Sequence, residues 1–193
     1  MPKNMPPRFV LILWPVADRL LRVIYRIRPL KADDSGIIRF NLRHYKGPAK
    51  VLSDGSEVKT GDTIIELHLN NNWFKRRRNL NLKASQSPRE FLGDFAQDLH
   101  LLAQQVASGM FGNITALHGS TILHAGAKRL GFQIDELPDS LWKKGARFYM
   151  AGLMQVYHLR GEEVPGLREK PWELKEVWLS REALLSKYGP THL

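Results

Sequence analysis

Gly36-Ile37-Ile38-Arg39-Phe40-Asn41-Leu42-Arg43 is the stretch on which the fold turns. From Gly36 the spacing of apolar residues changes from the helical 3.6 to 2: Ile38, Phe40 and Leu42 alternate with Arg39, Asn41 and Arg43. Successive side chains of a strand point to opposite faces, so the pattern predicts a half-buried strand with a basic outer face. Downstream, Val51-Leu52-Ser53 and Ser56-Glu57-Val58 flank Asp54-Gly55, a pair suited to the two-residue type I′ turn of a hairpin. Gly61-Asp62 then turns the chain into another strand, Thr63 to Asn70. Three or more strands in one stretch predict an antiparallel or mixed sheet from residues 35–70 rather than repeated βαβ units. With one further strand near 113–118 and several helices packed on the sheet, the expected fold class is α+β.

The helices are read from capping and period. Ser87-Pro88-Arg89-Glu90 combines an N-cap, a first-turn proline and a glutamate at N3. Phe91, Phe95, Leu99, Leu102 and Val106 then give the core face of a helix over 88–107. Residues 120–130 read as a helix with Ser120 as its N-cap and Gly131 as its stop. A long helix is expected over 139–159, and Ser180 caps a final one from Arg181 to Tyr188. Pro15 suits a first helical turn, so an N-terminal helix is expected over about 15–28, ahead of Pro29. No internal repeat or low-complexity linker divides the 193 residues, and a single domain over 1–193 is expected.

Charge is the informative part of the composition. The chain carries a formal net charge of +10. Residues 1–50 hold 11 Lys/Arg against three acids (Asp18, Asp33 and Asp34), whereas everything after residue 50 holds 18 against 16. The basic character therefore belongs to the N-terminal quarter, and a localised field of one sign favours an anionic partner. Within the N-terminal helix, Leu20, Leu21, Ile24 and Ile27 form one stripe and Arg19, Arg22 and Arg26 another. Covering the domain's own sheet is the common fate of such an apolar stripe; lying on an anionic surface is the alternative. A membrane-spanning reading fails on energy, because Asp18, Arg19, Arg22 and Arg26 would each cost roughly 2.5–3.5 kcal/mol near the bilayer centre. Phe9 to Trp14 is apolar behind Lys3 and Arg8, yet no small-x-small cleavage site follows, so a signal peptide is not expected. A place in the cytoplasm, or peripheral at the inner membrane face, is expected. The absence of cysteine removes disulfides and thiolate chemistry.

Four ordered blocks carry a family resemblance. They are Arg43-x-Tyr45-x-Gly47-Pro48 with Asp54-Gly55; Gly61-Asp62-x-x-x-Glu66-Leu67-His68-Leu69-Asn70; Gly119-Ser120-Thr121-x-Leu123-His124-x-Gly126-Ala127-x-Arg129-Leu130-Gly131-Phe132; and Trp178-Leu179-Ser180-Arg181-Glu182-x-Leu184-Leu185-x-Lys187-Tyr188-Gly189. Together they resemble the bacterial YkoP-like domain, which is found alone and also fused behind polysaccharide deacetylase domains. The resemblance implies no defined activity, and it implies an association with envelope polysaccharide enzymes only through that fusion. The deacetylase signatures, a Thr-Phe-Asp-Asp motif and a His-x-x-x-His metal pair, do not occur in this chain, so their chemistry is not carried over.

Two sets of residues are candidates for function. On the strand through Asn70, Glu66, His68 and Asn70 share one face, and further along the chain His118 and His124 bracket Gly119-Ser120-Thr121 at a strand-to-helix turn. The expectation is a partly enclosed polar pocket of Glu66, His68 and Asn70 with His118 or His124 at its rim, able to serve a small hydrolase or transferase. Ser120 at a helix start could add an anion-binding donor. His68, His118 and His124 are zinc-ligand types, but their spacing matches no standard motif, so neither metal nor cofactor is expected. No Gly-x-Ser-x-Gly elbow supports a serine triad. The second set is Arg19, Arg22 and Arg26 with the loop cations Lys75, Arg76, Arg77 and Arg78 beside Trp73-Phe74. It fits an anionic lipid or charged glycan. Nucleic acid is a weaker alternative, because no standard nucleic-acid-binding motif accompanies the charge. The leading expectation is thus an accessory domain, not an enzyme, at an anionic cell-envelope surface.

Overall fold

The computed structural model describes residues 19–20, 22–73, 76, 88–137 and 173–190. The helix expected over 139–159, and Lys75, Arg77 and Arg78, lie outside the described residues. In chain order the elements are β1 (Arg28–Pro29), β2 (Ile38–His44), β3 (Lys50–Val51), β4 (Glu57–Val58), β5 (Thr63–Leu69), α1 (Pro88–Ala107), β6 (Ile114–Thr121), α2 (His124–Arg129), β7 (Gln133–Glu136), β8 (Lys175–Ser180) and α3 (Arg181–Tyr188). Six strands form one mixed sheet in the order β1-β2-β5-β6-β8-β7, and β3-β4 is a separate hairpin. Among the described residues, only β5 and β6 run parallel. Parallel neighbours need a long crossover, and α1 lies in the connection between them. The architecture is α+β.

Alternation along the strands divides the sheet into two unlike faces. On one, Ile38, Phe40, Ile65, Leu117, Val177 and Leu179 meet Leu99, Leu102, Ala103 and Val106 of α1 and Leu184 and Tyr188 of α3. The α1 residues recur every three or four positions, which keeps them on one side of the helix. Ser180 ends β8 and starts α3 at once, its hydroxyl accepting the Ala183 N–H at 2.9 Å. On the other face the β3-β4 hairpin lays Leu52 and Val58 over Ile64, Ala116 and Trp178. The rest of that face is polar.

The turn entering β2 is pinned to α1 by a buried carboxylate. Asp98, 1% exposed, accepts the backbone N–H groups of Ile37 and Ile38 at 2.7 and 3.0 Å, and Lys31 Nζ lies 2.7 Å from its other oxygen. Gly36 permits this approach, since a Cβ there would sit 2.7 Å from Asp98 Oδ2.

Several local expectations are corrected. The N-terminal helix does not reach Arg28: residues 19–20 and 22–24 are helical, and Arg28–Pro29 is a strand. Ile27 N–H returns to Arg22 O at 2.9 Å and Arg26 N–H to Val23 O at 3.2 Å, with Arg26 left-handed at φ 52°. This is a Schellman closure. A residue before proline is driven out of helical backbone, which accounts for Arg28 being extended. Of the described residues of the apolar stripe, Leu20 and Ile24 are 58% and 61% exposed and Ile27 is half-buried. The strand expected near 113–118 continues to Thr121 because β8 pairs with it throughout, matching Ser120 to Glu176. Ser120 is therefore a strand residue and not an N-cap; α2 begins only at His124. The Asp54-Gly55 turn is not type I′, which needs positive φ at both residues. Only Gly55 has it, at 87°. Leu52 N–H bonds Ser56 O across a three-residue loop, in which the Asp54 carboxylate accepts the Ser56 N–H at 3.1 Å.

Candidate functional site

Register sets the composition of the polar face. Asn41 lies opposite Glu66 and Arg39 opposite His68, while Glu66 pairs with His118, His118 with Trp178 and Ser120 with Glu176. Glu66 is the hub. Arg43 Nη1 lies 3.3 Å and His118 Nδ1 3.9 Å from its Oε1, and His68 Nε2 lies 3.9 Å from its Oε2.

The two imidazoles have different hydrogen-bond partners. Arg43 Nη2 sits 3.5 Å from His118 Nδ1. Arginine can only donate, so Nδ1 is the acceptor at that contact and Nε2 is the ring nitrogen left to donate. That nitrogen is buried without a hydrogen-bond partner, 3.7 Å from Glu176 Oε1. The His118 ring lies against Trp178, their centroids 4.2 Å apart. Glu176 Oε2 accepts the Trp178 indole N–H at 3.2 Å. His68 Nε2 is 3.0 Å from Asn41 Oδ1, an acceptor, so it is the donor and Nδ1 holds the lone pair.

Burial and charge shift two of these groups. Burial is the main cause that holds the His68 pKa below the ordinary histidine value; Glu66 opposes it, and Arg43 and His118 add to it. Burial would push Glu176 up, but the His118 imidazole, the Trp178 indole and Lys50 outweigh it and hold the carboxyl below the usual range. Lys50 lies over the Trp178 ring at 5.4 Å and bonds Asp135 at 2.5 Å.

The structure brings Glu66, His68 and His118 together and leaves the other candidates elsewhere. Asn70 is fully buried beyond the end of β5, and its amide donates to Asp34 O, Asp34 Oδ1 and Gly36 O at 2.9, 3.0 and 2.8 Å. It holds the turn before β2 rather than lining the cluster. Ser120 and His124 make no hydrogen bond or ion pair with Glu66, His68 or His118, and α2, at six residues, is too short to offer an anion site. Sequence reading missed Asn41, Arg43 and Glu176. Asn41 and Arg43 were visible as the polar half of the β2 alternation, whereas Glu176 had no signal beyond standing two residues before Trp178. Among the described residues, no group of three His, Asp or Glu is arranged to hold a metal ion.

The basic set is partly described. Arg19, Arg26 and Arg28 are exposed and Arg22 half-buried. Between them Leu20, Val23, Ile24 and Tyr25 are 56–71% exposed. Arg76 donates to the Asp34 carbonyl oxygen, in the turn that follows β1. No helix among the described residues is long and apolar enough to cross a membrane.

Comparison with known proteins adds a family. The family model described as the YkoP domain matches residues 7–188. The chain is 27% identical over 125 residues to "Uncharacterized protein YkoP" of Bacillus subtilis (strain 168), covering 64% of this chain and 68% of that protein. No solved structure matches.

Proposed function

The chain belongs to the YkoP domain family, and we propose that its N-terminal segment attaches it peripherally to an anionic lipid surface. The observation that carries this reading is the exposure of Leu20, Val23, Ile24 and Tyr25 in a segment that also presents Arg19 and Arg26. Arginines alone would serve a charged glycan equally well. Four exposed apolar side chains gain nothing from a glycan in water but gain burial at a headgroup boundary. Each Lys or Arg near an anionic leaflet contributes about 1 kcal/mol, screened beyond a Debye length. Binding through this segment is therefore weak and salt-sensitive.

Vesicle flotation of the full chain tests it. Vesicles rich in phosphatidylserine are expected to carry the protein upward at low salt and to release it at high salt, whereas phosphatidylcholine vesicles leave it behind. Arg19→Glu with Arg26→Glu should abolish flotation, and Val23→Ser with Ile24→Ser should weaken it. Equal flotation on both vesicle types, or binding to an anionic polysaccharide that survives the serine changes, would count against lipid as the partner.

A further inference from the structure

We propose that the cavity between α1 and the turn entering β2 binds a small primary amine in its ammonium form, with Asp98 and Asp94 as its counter-charges. The proposal stands apart from lipid binding, since it rests on α1 and this turn and not on the N-terminal segment.

The cavity has a volume of about 210 Å³, the space of about seven waters in the liquid. Lys31 and Ser35 line it from the turn, and Asp94, Gln97 and Asp98 line it from α1. Residues three and four apart on a helix are neighbours, so the three α1 side chains share one side of it. Ser35 and Gln97 are exposed, which carries the lining out to the surface. Two carboxylates stand there against the single ammonium of Lys31, and a lining of that sign favours a cation.

Asp98 is the sharper observation. It is 1% exposed, and its Oδ2 accepts the Ile37 and Ile38 N–H groups, whereas Oδ1 is buried with no hydrogen-bond partner. Lys31 Nζ lies 2.7 Å from Oδ1, near enough to balance the charge but out of line for a hydrogen bond. Buried acceptors are rarely left in that state. The Lys31 side chain is 35% exposed, so its ammonium can withdraw into solvent when another arrives. A free ammonium has three N–H groups and no tether. It can turn one to Asp98 Oδ1 and one to the Asp94 carboxylate, and keep the third for an oxygen of Ser35 or Gln97. Hydrogen bonds between charged partners are about twice as strong as neutral ones. A quaternary ammonium has no N–H to offer and gains none of them.

Ethanolamine is the probe, and choline, its N-methylated counterpart, is the control, each titrated into the full chain at constant ionic strength. The Ile37 and Ile38 amides report on the site, because both bond Asp98 directly. Their ¹H–¹⁵N resonances should move saturably with ethanolamine and stay in place with choline or potassium chloride. Asp94→Asn should weaken binding about tenfold, the worth of one hydrogen bond to a charged group. Lys31→Met removes the competing ammonium and should tighten binding by a similar factor. Asp98→Asn is a poorer variant, since it also disturbs the turn that Asp98 pins. Resonances that ignore ethanolamine, or that follow choline or potassium as far, overturn the proposal. So does an Asp94→Asn chain that binds as well as the original, or a Lys31→Met chain that binds no tighter.

Discussion

The two faces of the sheet come from the same strands by the same alternation, yet different forces hold them. Against α1 and α3 the strands present Ile38, Phe40, Ile65, Leu117, Val177 and Leu179, a surface whose burial is non-directional and roughly additive. The opposite face presents Arg43, Glu66, His68, His118 and Glu176, where every contribution depends on distance and on which partner is charged. A buried apolar side chain contributes about 1.5–3 kcal/mol whatever its neighbour. A buried ion pair can cost as much in lost hydration as it returns in attraction. The apolar face thus suffices to explain why the chain folds. What the polar face adds to stability depends instead on how well its charges are paired.

The largest effect should come from the apolar face. Leu117 is fully buried beneath α1, and Leu117→Ala should destabilise the protein by about 2–5 kcal/mol in denaturant unfolding. A loss below about 1 kcal/mol would mean that this face is loosely packed and the contrast between faces is false. On the polar face, Glu66→Leu removes the carboxylate shared by Arg43, His68 and His118. It should cost about 1–3 kcal/mol through partners left unpaired, less than Leu117→Ala by the same measurement.

The same contrast explains how much of the molecule was legible in its sequence. Period 2 at Ile38 to Arg43 and at Thr63 to Leu69, and the four-residue rhythm of α1, record burial on one side, which is a local property. The cluster was half legible. Glu66 and His68 stood on one strand face, but Asn41, Arg43 and Glu176 join them only through cross-strand register, which no single strand encodes. Ser120 misled because serine between a strand and a helix serves as an N-cap or as a strand end. Pairing with Glu176 across β8 decided for the strand. Asn70 misled for a related reason. It continues the alternation of Glu66 and His68, yet the backbone leaves the strand at Leu69 and its amide turns to Asp34 and Gly36. The N-terminal stripe was expected against the sheet on the strength of its period alone, and exposed Leu20 and Ile24 show that amphipathic spacing does not name the surface it meets.

Titration gives a smaller and more selective signal. Burial lowers the His68 pKa in the folded state from an ordinary value of about 6.5. Between the two values the unfolded chain binds more protons than the folded one, so stability rises with pH across that window. The contribution is complete above about 6.5 and is lost as pH falls toward the folded value. The slope is at most one proton, about 1.4 kcal/mol per pH unit. His68→Gln should remove that part of the slope, and an unchanged pH profile in the variant would place the titration elsewhere.

The smallest expected change is the most informative about the two faces. If Arg43, Glu66 and His118 served chiefly to hold the sheet together, replacing all three by apolar residues would cost at least as much as removing Glu66 alone. If they are held for a ligand, Arg43→Met, Glu66→Leu and His118→Leu together should leave stability within about 1 kcal/mol of the original or raise it. The triple change removes charges that fold at a hydration cost and leaves none of the three without its partners. His118 already packs its ring on Trp178, so leucine there keeps an apolar contact. Glu176 loses its imidazole neighbour but keeps the Trp178 indole N–H. Denaturant unfolding of the single Glu66→Leu and triple variants side by side decides the matter. A triple variant no less damaged than the single one would show that this face, too, is a structural core, and the two faces would then differ in chemistry but not in purpose.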